Sequence, residues 1–296
     1  MKLEYIVTNK DNNKTIKEIL ISHFKISHRL LVTLKKNNCI YLNNLSSFIY
    51  ATIKENDNLI ISFDYEEDNS NIIPKEMDLD IVYEDDWYLI INKPSGIAIH
   101  PSILHYEDSL SNGVRFYFDK IDLKKKIRPV NRIDKDTSGL VVFAKNEYIQ
   151  ECLIRQMQNN NFIKEYIAIV EGFFNEKNGI INEPISRKEN SIIERCVHPL
   201  GSHSITHYTV IEEKKFNNKN ISKVRCKLET GRTHQIRVHM SYIGHPLLGD
   251  DLYGGDTSLI NRQALHSYQI SFFHPITKEK VNYIATLPKD LLIFQK

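Results

Sequence analysis

The chain has 296 residues, of which 41% are hydrophobic and 26% charged, and its formal net charge at pH 7 is +2. This composition argues against a disordered protein, and no apolar run approaches the roughly 20 residues that a membrane-spanning helix needs. The four cysteines are scattered without a Cys-x-x-Cys pair, and the first ten residues lack the apolar region of a signal peptide. We therefore expect a cytoplasmic protein with no disulfide framework and no metal site.

The N-terminal 62 residues are basic, with nine Lys and Arg against five Asp and Glu. Apolar residues at helical spacing predict two short helices, one around residues 16–24 and one after Ser27, a suitable N-cap. Strands are predicted at Cys39–Leu42 and Leu59–Phe63. The polar face of the second helix carries Lys25, His28, Arg29, Lys35 and Lys36. By charge alone, these cations are either a solvated helix face or a surface that binds RNA.

The composition changes near residue 64. Residues 64–86 contain one lysine and ten acidic residues. We interpret residues 64–78 as a solvated acidic linker between a small module, residues 1–63, and a larger body, residues 79–296.

The body begins with strand-like runs at Leu79–Tyr83 and Trp87–Asn92, and short strands recur along its length. Helices are fewer, and they are predicted at Ser109–Phe118, Glu147–Asn159 and Thr233–Ile243. Strand and helix do not alternate far enough for a doubly wound parallel sheet, and a glycine-rich phosphate loop is missing. The pattern favours an α+β domain on a mixed, largely antiparallel sheet.

One carboxylate stands out in the body. Asp134 lies on a polar loop that ends in glycine, close to Arg128 and Arg132 and just before the apolar strand Val141–Ala144. This is the placement expected for a catalytic group held on a rigid scaffold. A nearby guanidinium would keep the carboxylate ionised and able to act as a nucleophile or a base. The alternative, which charge pattern alone favours, is a structural Arg-Asp pair at a turn.

The string around Asp134, residues 132–139, closely resembles the Arg-Leu-Asp-x-x-Thr-Ser-Gly signature of the RluA-type pseudouridine synthases. Four further segments resemble the same family in the same order. They are residues 93–101, 164–172, 228–254 and 265–275. The resemblance covers about residues 80–288. Asn131 replaces a histidine common in the family, which removes a titratable group, and Ile133 replaces leucine, which conserves volume.

The resemblance implies that the chain isomerises uridine within RNA, without a cofactor. The target uridine must first be extruded from its stack. Asp134 would then attack the anomeric carbon or remove the proton from the 2′ carbon, and the sequence leaves both open. By family position, Tyr166 would stack on the flipped base and Arg232 would pair with Asp134. Arg132, with Asn131 beside it, is expected to contact the displaced RNA, because a guanidinium binds phosphate or stacks in the vacated place.

Residues 13–63 resemble, more loosely, the small RNA-binding fold named after ribosomal protein "S-four", with Asn38 and Asn44 where glycines are usual. This resemblance favours RNA binding by the module and tilts the expected substrate towards large-subunit ribosomal RNA, with transfer RNA as the alternative. The module residues expected to bind RNA are Lys25, Arg29, Lys35 and Lys36. We expect a monomer.

Two hypotheses come from other classes of protein. A non-catalytic RNA-binding assembly factor would be marked by loss of the carboxylate, yet Asp134, Tyr166 and Arg232 are present. A hydrolase would need a nucleophile elbow such as Gly-x-Ser-x-Gly, which the sequence lacks. Both rank below the synthase.

Overall fold

A computed structural model describes residues 1–102 and 105–295 of the chain. Residues 103, 104 and 296, which belong to the predicted body, lie outside the described residues. Across the described ranges, the helices lack the length and apolar character that crossing a bilayer requires.

The first 62 residues form a four-stranded antiparallel sheet with two helices. Its elements are β1 (Lys2–Ile6), α1 (Ile16–Ser22), α2 (His28–Lys36), β2 (Ile40–Leu42), β3 (Leu45–Ser46) and β4 (Asn58–Ser62). The strand order is β1-β4-β2-β3. The side chains of Thr15 and Ser27 accept hydrogen bonds from backbone N–H groups in the first turns of α1 and α2, which satisfies donors that a helix start leaves free. Both predicted helices and the Ser27 cap are confirmed.

The body is built on a ten-stranded sheet. Its elements are β5 (Ile81–Glu84), β6 (Tyr88–Lys93), α3 (Leu110–Lys120), β7 (Arg128–Pro129), β8 (Ser138–Ala144), α4 (Glu147–Gln158), β9 (Ile163–Glu171), β10 (Asn178–Asn182), β11 (Ile185–Arg187), β12 (Arg195–Val197), β13 (Ile205–Phe216), β14 (Lys219–Leu228), α5 (Gln235–Tyr242), β15 (Leu265–Phe273) and β16 (Lys280–Ile284). The main path is β10-β13-β14-β9-β15-β8-β6-β5, with β16 beside β15 and β7 beside β8. A separate hairpin joins β11 and β12.

Most of this sheet is antiparallel. Within the residues that the structure describes, β15 and β8 pair in parallel and the other strand pairs are antiparallel. The predicted α+β fold with a mixed, largely antiparallel sheet is confirmed.

Helices cover both faces of the central strands. On β6, Leu89 and Ile91 pack in the apolar cluster that contains α3, whereas Tyr88 and Ile90 pack in the cluster that contains α4. This alternation follows from the two-residue period of a strand. Every residue of β8 is buried, as expected for a strand covered on both sides. The loop that precedes β8 is therefore anchored, at its C-terminal end, to a strand that is buried in the core.

The N-terminal module packs directly on α4. The ring of Phe63 stacks on Tyr148 of α4 with centroids 5.6 Å apart, inside an apolar cluster that runs through both parts of the chain. Ser27 at the start of α2 donates to the carboxylate of Glu151, and Arg155 donates to the backbone carbonyl of Lys25 at 3.1 Å. The start of α2 is therefore the part of the module that faces the body.

Most of residues 64–78 are exposed, as expected for a solvated segment, but the segment is also anchored to the body. Asn69 and Ile72 are buried, with 4% and 8% of their surface exposed. Glu67 forms an ion pair with Arg128 in which each side chain is only 9% exposed. The near-burial of Glu67 could not be predicted from composition, because its partner Arg128 lies 61 residues later in the chain.

Candidate active site

The loop that carries Asp134 joins β7 to β8, and a buried lysine binds its backbone. Lys93, at the end of β6, has no exposed surface. Its ammonium donates to the carbonyl oxygens of Pro94, Ile97 and Lys135 at 2.8, 2.8 and 2.7 Å. These three acceptors use all three N–H bonds of the ammonium. The lysine thereby ties the segment after β6 to the residue that follows Asp134.

The far end of the same loop is held by Arg262, in the segment before β15, and by β15 itself. Arg262 donates to the carbonyl of Asp136 at 3.0 Å and is itself oriented by the carboxylate of Asp290, 2.7 Å from its Nε. Gly139 has φ of +110°, and a Cβ on it would lie 2.2 Å from the carbonyl oxygen of Ser267. Only glycine lets β8 approach β15 this closely at the end of the loop.

Asp134 forms an ion pair with a buried arginine that also binds a second carboxylate. Nη1 of Arg237 lies 3.2 Å from Oδ2 of Asp134. The other side of the guanidinium binds Asp250 through two hydrogen bonds of 2.7 Å, from Nε and Nη2. The side chains of Arg237 and Asp250 are 8% and 0% exposed, whereas that of Asp134 is 28% exposed. The bidentate bond to Asp250 fixes the orientation of the guanidinium. The guanidinium in turn orients the Asp134 carboxylate, which still reaches solvent.

A histidine lies near the same carboxylate oxygen. Nε2 of His234 is 3.8 Å from Oδ2 of Asp134, and its Nδ1 is 2.7 Å from the hydroxyl of Tyr253. That hydroxyl also accepts from the backbone N–H of Arg195 at 2.9 Å, so the ring of His234 is tied to the backbone through Tyr253. Burial lowers the pKa of His234, an effect that the Asp134 carboxylate opposes.

The backbone at His234 is itself unusual. Its φ of 58° and ψ of 20° lie in the left-handed region that non-glycine residues rarely adopt. Such a conformation costs free energy and persists only where the surroundings enforce it. Here it turns the chain into α5, and the first turn of that helix carries Arg237.

These groups border an open cleft of about 350 Å³, solvent at its mouth included. Tyr166 of β9 forms part of the wall, with 5% of its surface exposed, together with the apolar side chains of Leu228, Ile236 and Leu265. Burial and the nearby Asp134 carboxylate raise the pKa of Tyr166, so the ring is neutral at pH 7. Most of the remaining lining residues are polar or charged. An apolar wall section beside a carboxylate suits a planar base attached to a sugar.

The structure places three further sequence-predicted residues around this cleft. Tyr166, Arg132 and Arg232 all line it together with Asp134. Arg132 and Arg232 are both exposed at its edge. The sequence therefore identified residues from three separate segments that the fold brings to one place.

The predicted pairing of Arg232 with Asp134 is wrong. The Nε of Arg232 donates to the carbonyl of His203 at 3.2 Å. The side chain that pairs with Asp134 is Arg237. The two arginines are five residues apart, and α5 begins between them, so Arg232 stays on the exposed loop while Arg237 enters the buried first turn.

The expectation that Asn131 contacts RNA is also wrong. Asn131 is only 5% exposed. Its amide donates to the carbonyl of Leu140 at 3.0 Å and accepts from the N–H of Val142 at 2.8 Å. Both ends of the amide thus join the start of the Asp134 loop to β8, and the side chain is buried away from the surface of the cleft.

The predicted RNA-binding cations of the N-terminal module lie at the two ends of α2. Lys25 and Arg29 flank its start, which contacts the body, and Arg29 pairs with Glu147 of α4 at 3.3 Å. Lys35 and Lys36 lie in the last turn and are exposed. All four side chains are exposed, and the structure separates them into a pair near the start of α2, beside the body, and a pair at its far end.

Sequence reasoning missed the network behind the Asp134 carboxylate: Arg237, His234, Tyr253 and Asp250. A signal was present, because Arg237 stands among the apolar residues Ile236, Val238 and Met240, which favour a buried segment. A buried arginine requires a carboxylate partner. The position of that carboxylate, thirteen residues later, could be found only from the fold.

Comparison with known proteins places this site in a family. Residues 87–242 match the RNA pseudouridylate synthase family. An uncharacterized RNA pseudouridine synthase of Bacillus subtilis (strain 168), YjbO, is 38% identical over 278 residues, which cover 94% of this chain and 96% of that protein. Ribosomal large subunit pseudouridine synthase D of Blochmanniella floridana is 39% identical over 241 residues, which cover 76% of this chain and 74% of that protein.

A solved structure has the same fold. Human RNA pseudouridylate synthase domain containing 1 aligns with a TM-score of 0.59 at 28% identity, over 71% of this chain and 84% of that chain. The fold, the motifs and the relatives agree with one another. The chain therefore belongs to the RNA pseudouridylate synthase family and is an RNA pseudouridine synthase of the RluA type.

Proposed function

We propose that this synthase isomerises specific uridines of large-subunit ribosomal RNA and that Asp134 is its catalytic carboxylate. The observation that carries the proposal is the placement of Asp134. Its carboxylate reaches an open cleft from a loop that Lys93 and Arg262 fasten, and its charge is stabilised by Arg237. A carboxylate held in this way is pre-organised for attack or for proton removal.

The reaction balances without any other reactant. The bond between N1 of uracil and C1′ of ribose breaks, and a bond between C5 and C1′ forms. C5 loses a proton and N1 gains one, so the product is an isomer of the substrate. Asp134 acts on the ribose, either as a nucleophile at C1′ or as a base at C2′.

The remaining residues of the cleft bind and orient the nucleotide. The neutral ring of Tyr166 offers a stacking face for the extruded uracil. Arg237, held by Asp250, keeps the carboxylate aligned towards the sugar. Arg132 and Arg232 at the edge of the cleft supply guanidinium groups for the phosphates of the displaced strand.

Two features support ribosomal RNA as the substrate. Several relatives are named ribosomal large subunit pseudouridine synthase D, including those of Blochmanniella floridana and Pasteurella multocida at 39% and 38% identity. The chain also carries a basic N-terminal module in addition to the body. A second binding surface of this kind suits a large folded RNA.

The test is to map pseudouridine in RNA made without modifications. Purified protein is incubated with full-length large-subunit ribosomal RNA and, separately, with a pool of transfer RNA transcripts. We expect new pseudouridines at discrete positions of the ribosomal RNA only. Modification confined to transfer RNA would replace the proposed substrate, and modification of neither RNA by folded protein would overturn the proposal.

A further inference from the structure

The N-terminal module carries an apolar surface that its own fold leaves uncovered. Phe48 and Tyr50, in the segment after β3, have 87% and 68% of their surface exposed, and Leu45 within β3 has 74% exposed. Ile49, between the two aromatic residues, is 4% exposed and belongs to the core. The buried isoleucine fixes the segment and makes both neighbouring rings point outwards.

A groove runs beside these rings. It encloses about 730 Å³, open solvent included, between the end of α2, β2 and residues 46–50. Leu34 and Ile40 are buried lining residues, while Lys35 and Asn38 are exposed ones. Within the described part of the chain, the lining includes no carboxylate. We call the surface formed by residues 45–50, Lys35 and Asn38 the aromatic groove.

Positive charge surrounds the aromatic groove. The ammonium of Lys17 lies 5.7 Å from the centre of the Tyr50 ring. Lys35 is on the lining, and Lys36 follows it in the last turn of α2. Exposed rings flanked by ammonium groups suit unpaired nucleotides, because bases stack on the rings while phosphates pair with the cations. Pairing of two copies through this surface would bring like charges together.

The aromatic groove stays open when the module is docked on the body. The contact with α4 is made by Phe63 and by the start of α2, at Ser27 and Arg29. Lys35 lies six residues further along the helix than Arg29, which corresponds to about 9 Å of helix rise. An RNA can therefore occupy the groove without disturbing the contact between module and body.

We propose that the aromatic groove binds unpaired nucleotides of the substrate RNA, with Phe48 and Tyr50 as stacking platforms and Lys17 and Lys35 as phosphate contacts. This inference rests on the proposed function, since it gives the N-terminal module a defined share in recognising the same RNA. In this inference, the module recognises RNA through two aromatic side chains as well as through charge.

The experiment measures RNA binding by the full-length chain, so it does not depend on turnover. The probes are a fluorescein-labelled single-stranded 12-mer of oligouridine and a 12-base-pair RNA duplex. The double variant Phe48→Leu/Tyr50→Leu keeps apolar bulk but removes both rings, and Phe48→Tyr keeps a ring. We expect the Kd for the 12-mer to rise at least about fivefold per lost ring, with little change for the duplex or for Phe48→Tyr.

Crosslinking gives a second, independent measurement. A 12-mer containing 4-thiouridine should crosslink to a peptide that contains residue 48 or 50, and Lys35→Ala should weaken the crosslink. An unchanged Kd for the double variant, with no crosslink in residues 45–50, would overturn the inference. A concentration-dependent dimer of the wild-type chain that the double variant loses would also overturn it, in favour of a second copy. Binding and crosslinking are measured without turnover. Failure to modify ribosomal RNA would therefore refute the proposed substrate, whereas only the Kd and the crosslink decide whether the aromatic groove binds RNA.

Discussion

The cleft at Asp134 and the N-terminal module use positive charge in different ways. In the cleft, Arg237 is buried and donates hydrogen bonds to Asp250 and Asp134. In the module, Lys35 and Lys36 are exposed at the end of α2. A buried charge must be compensated within the fold, so its loss affects stability and chemistry together. An exposed charge acts when a polyanion arrives, so its loss changes only affinity and its dependence on salt.

The largest expected effect in this comparison follows from Arg237→Ala. The substitution leaves Asp250 buried without its partner and Asp134 without its alignment. We expect the free energy of unfolding to fall by about 3–5 kcal/mol, measured by urea unfolding. Pseudouridine formation in single-turnover assays should fall at least about 100-fold. Arg237→Lys keeps the charge without the bidentate fork and should recover only part of either loss.

Arg232→Ala is the matched control, because it removes an arginine from the same cleft. Arg232 is exposed and bonds to a backbone carbonyl instead of to Asp134. We expect unchanged stability and a smaller loss of turnover than at Arg237. A larger loss of turnover for Arg232→Ala than for Arg237→Ala would show that Arg232, and not Arg237, is the functional partner of the Asp134 carboxylate.

The next effect concerns pH and a buried histidine behind the catalytic loop. His266 has no exposed surface, its Nδ1 lies 2.9 Å from the Ser138 hydroxyl, and burial lowers its pKa to about 4. Between about pH 6.5 and 4 the unfolded chain therefore binds the proton that the folded chain rejects. The free energy of unfolding should fall as pH falls through this window, by about 3 kcal/mol at most.

His266→Asn tests the source of this pH dependence. Urea unfolding at pH 7 and at pH 4.5 should show a smaller difference for the variant than for the wild type. Equal differences for the two proteins would assign the pH dependence to other groups.

A smaller effect is expected at Asn131, which separates a structural role from an RNA contact. Asn131→Ala leaves the buried N–H of Val142 without its side-chain acceptor and removes one of the two side-chain donors to the carbonyl of Leu140, the other being Ser267. We expect a loss of about 2 kcal/mol in the free energy of unfolding. The Kd for RNA, measured where the variant is folded, should match that of the wild type. A weaker Kd with unchanged stability would restore the RNA-contact role.

The smallest effect on the fold is expected from the exposed end of α2. Lys35→Ala/Lys36→Ala should leave stability unchanged and reduce the slope of log K against log salt by about 1–2. Arg29→Ala is the matched control at the other end of the helix, where the guanidinium already pairs with Glu147. A change of slope at Arg29 as large as that of the double variant would mean that the docked end of α2 also binds RNA.

The sequence predicted what short segments encode by themselves. The helices around residues 109–118 and 147–159 and the strands of the central sheet show periodic apolar residues, and the structure has them within two or three residues. The loop signature around Asp134 carries its own glycine, Gly139, which the approach of β15 requires. Fold class and the location of the carboxylate could therefore be derived before the structure.

What the sequence could not predict depends on partners that are distant along the chain. The choice between Arg232 and Arg237 is decided by Asp250, which only the fold brings beneath α5. Asn131 is buried because β8 supplies its two hydrogen-bond partners. Glu67, in the otherwise mostly exposed residues 64–78, is nearly buried because Arg128 compensates its charge. In each case a polar side chain changed its role once a tertiary partner was present.

The central claim is that the Asp134 carboxylate performs chemistry on an RNA that other residues bind. The most direct test compares Asp134→Asn with the wild type in a single-turnover assay of pseudouridine formation and in an RNA-binding assay, using the same RNA. We predict that turnover falls at least about 1000-fold while the Kd changes less than about threefold. Pseudouridine formation by Asp134→Asn at a rate near that of the wild type would contradict the account.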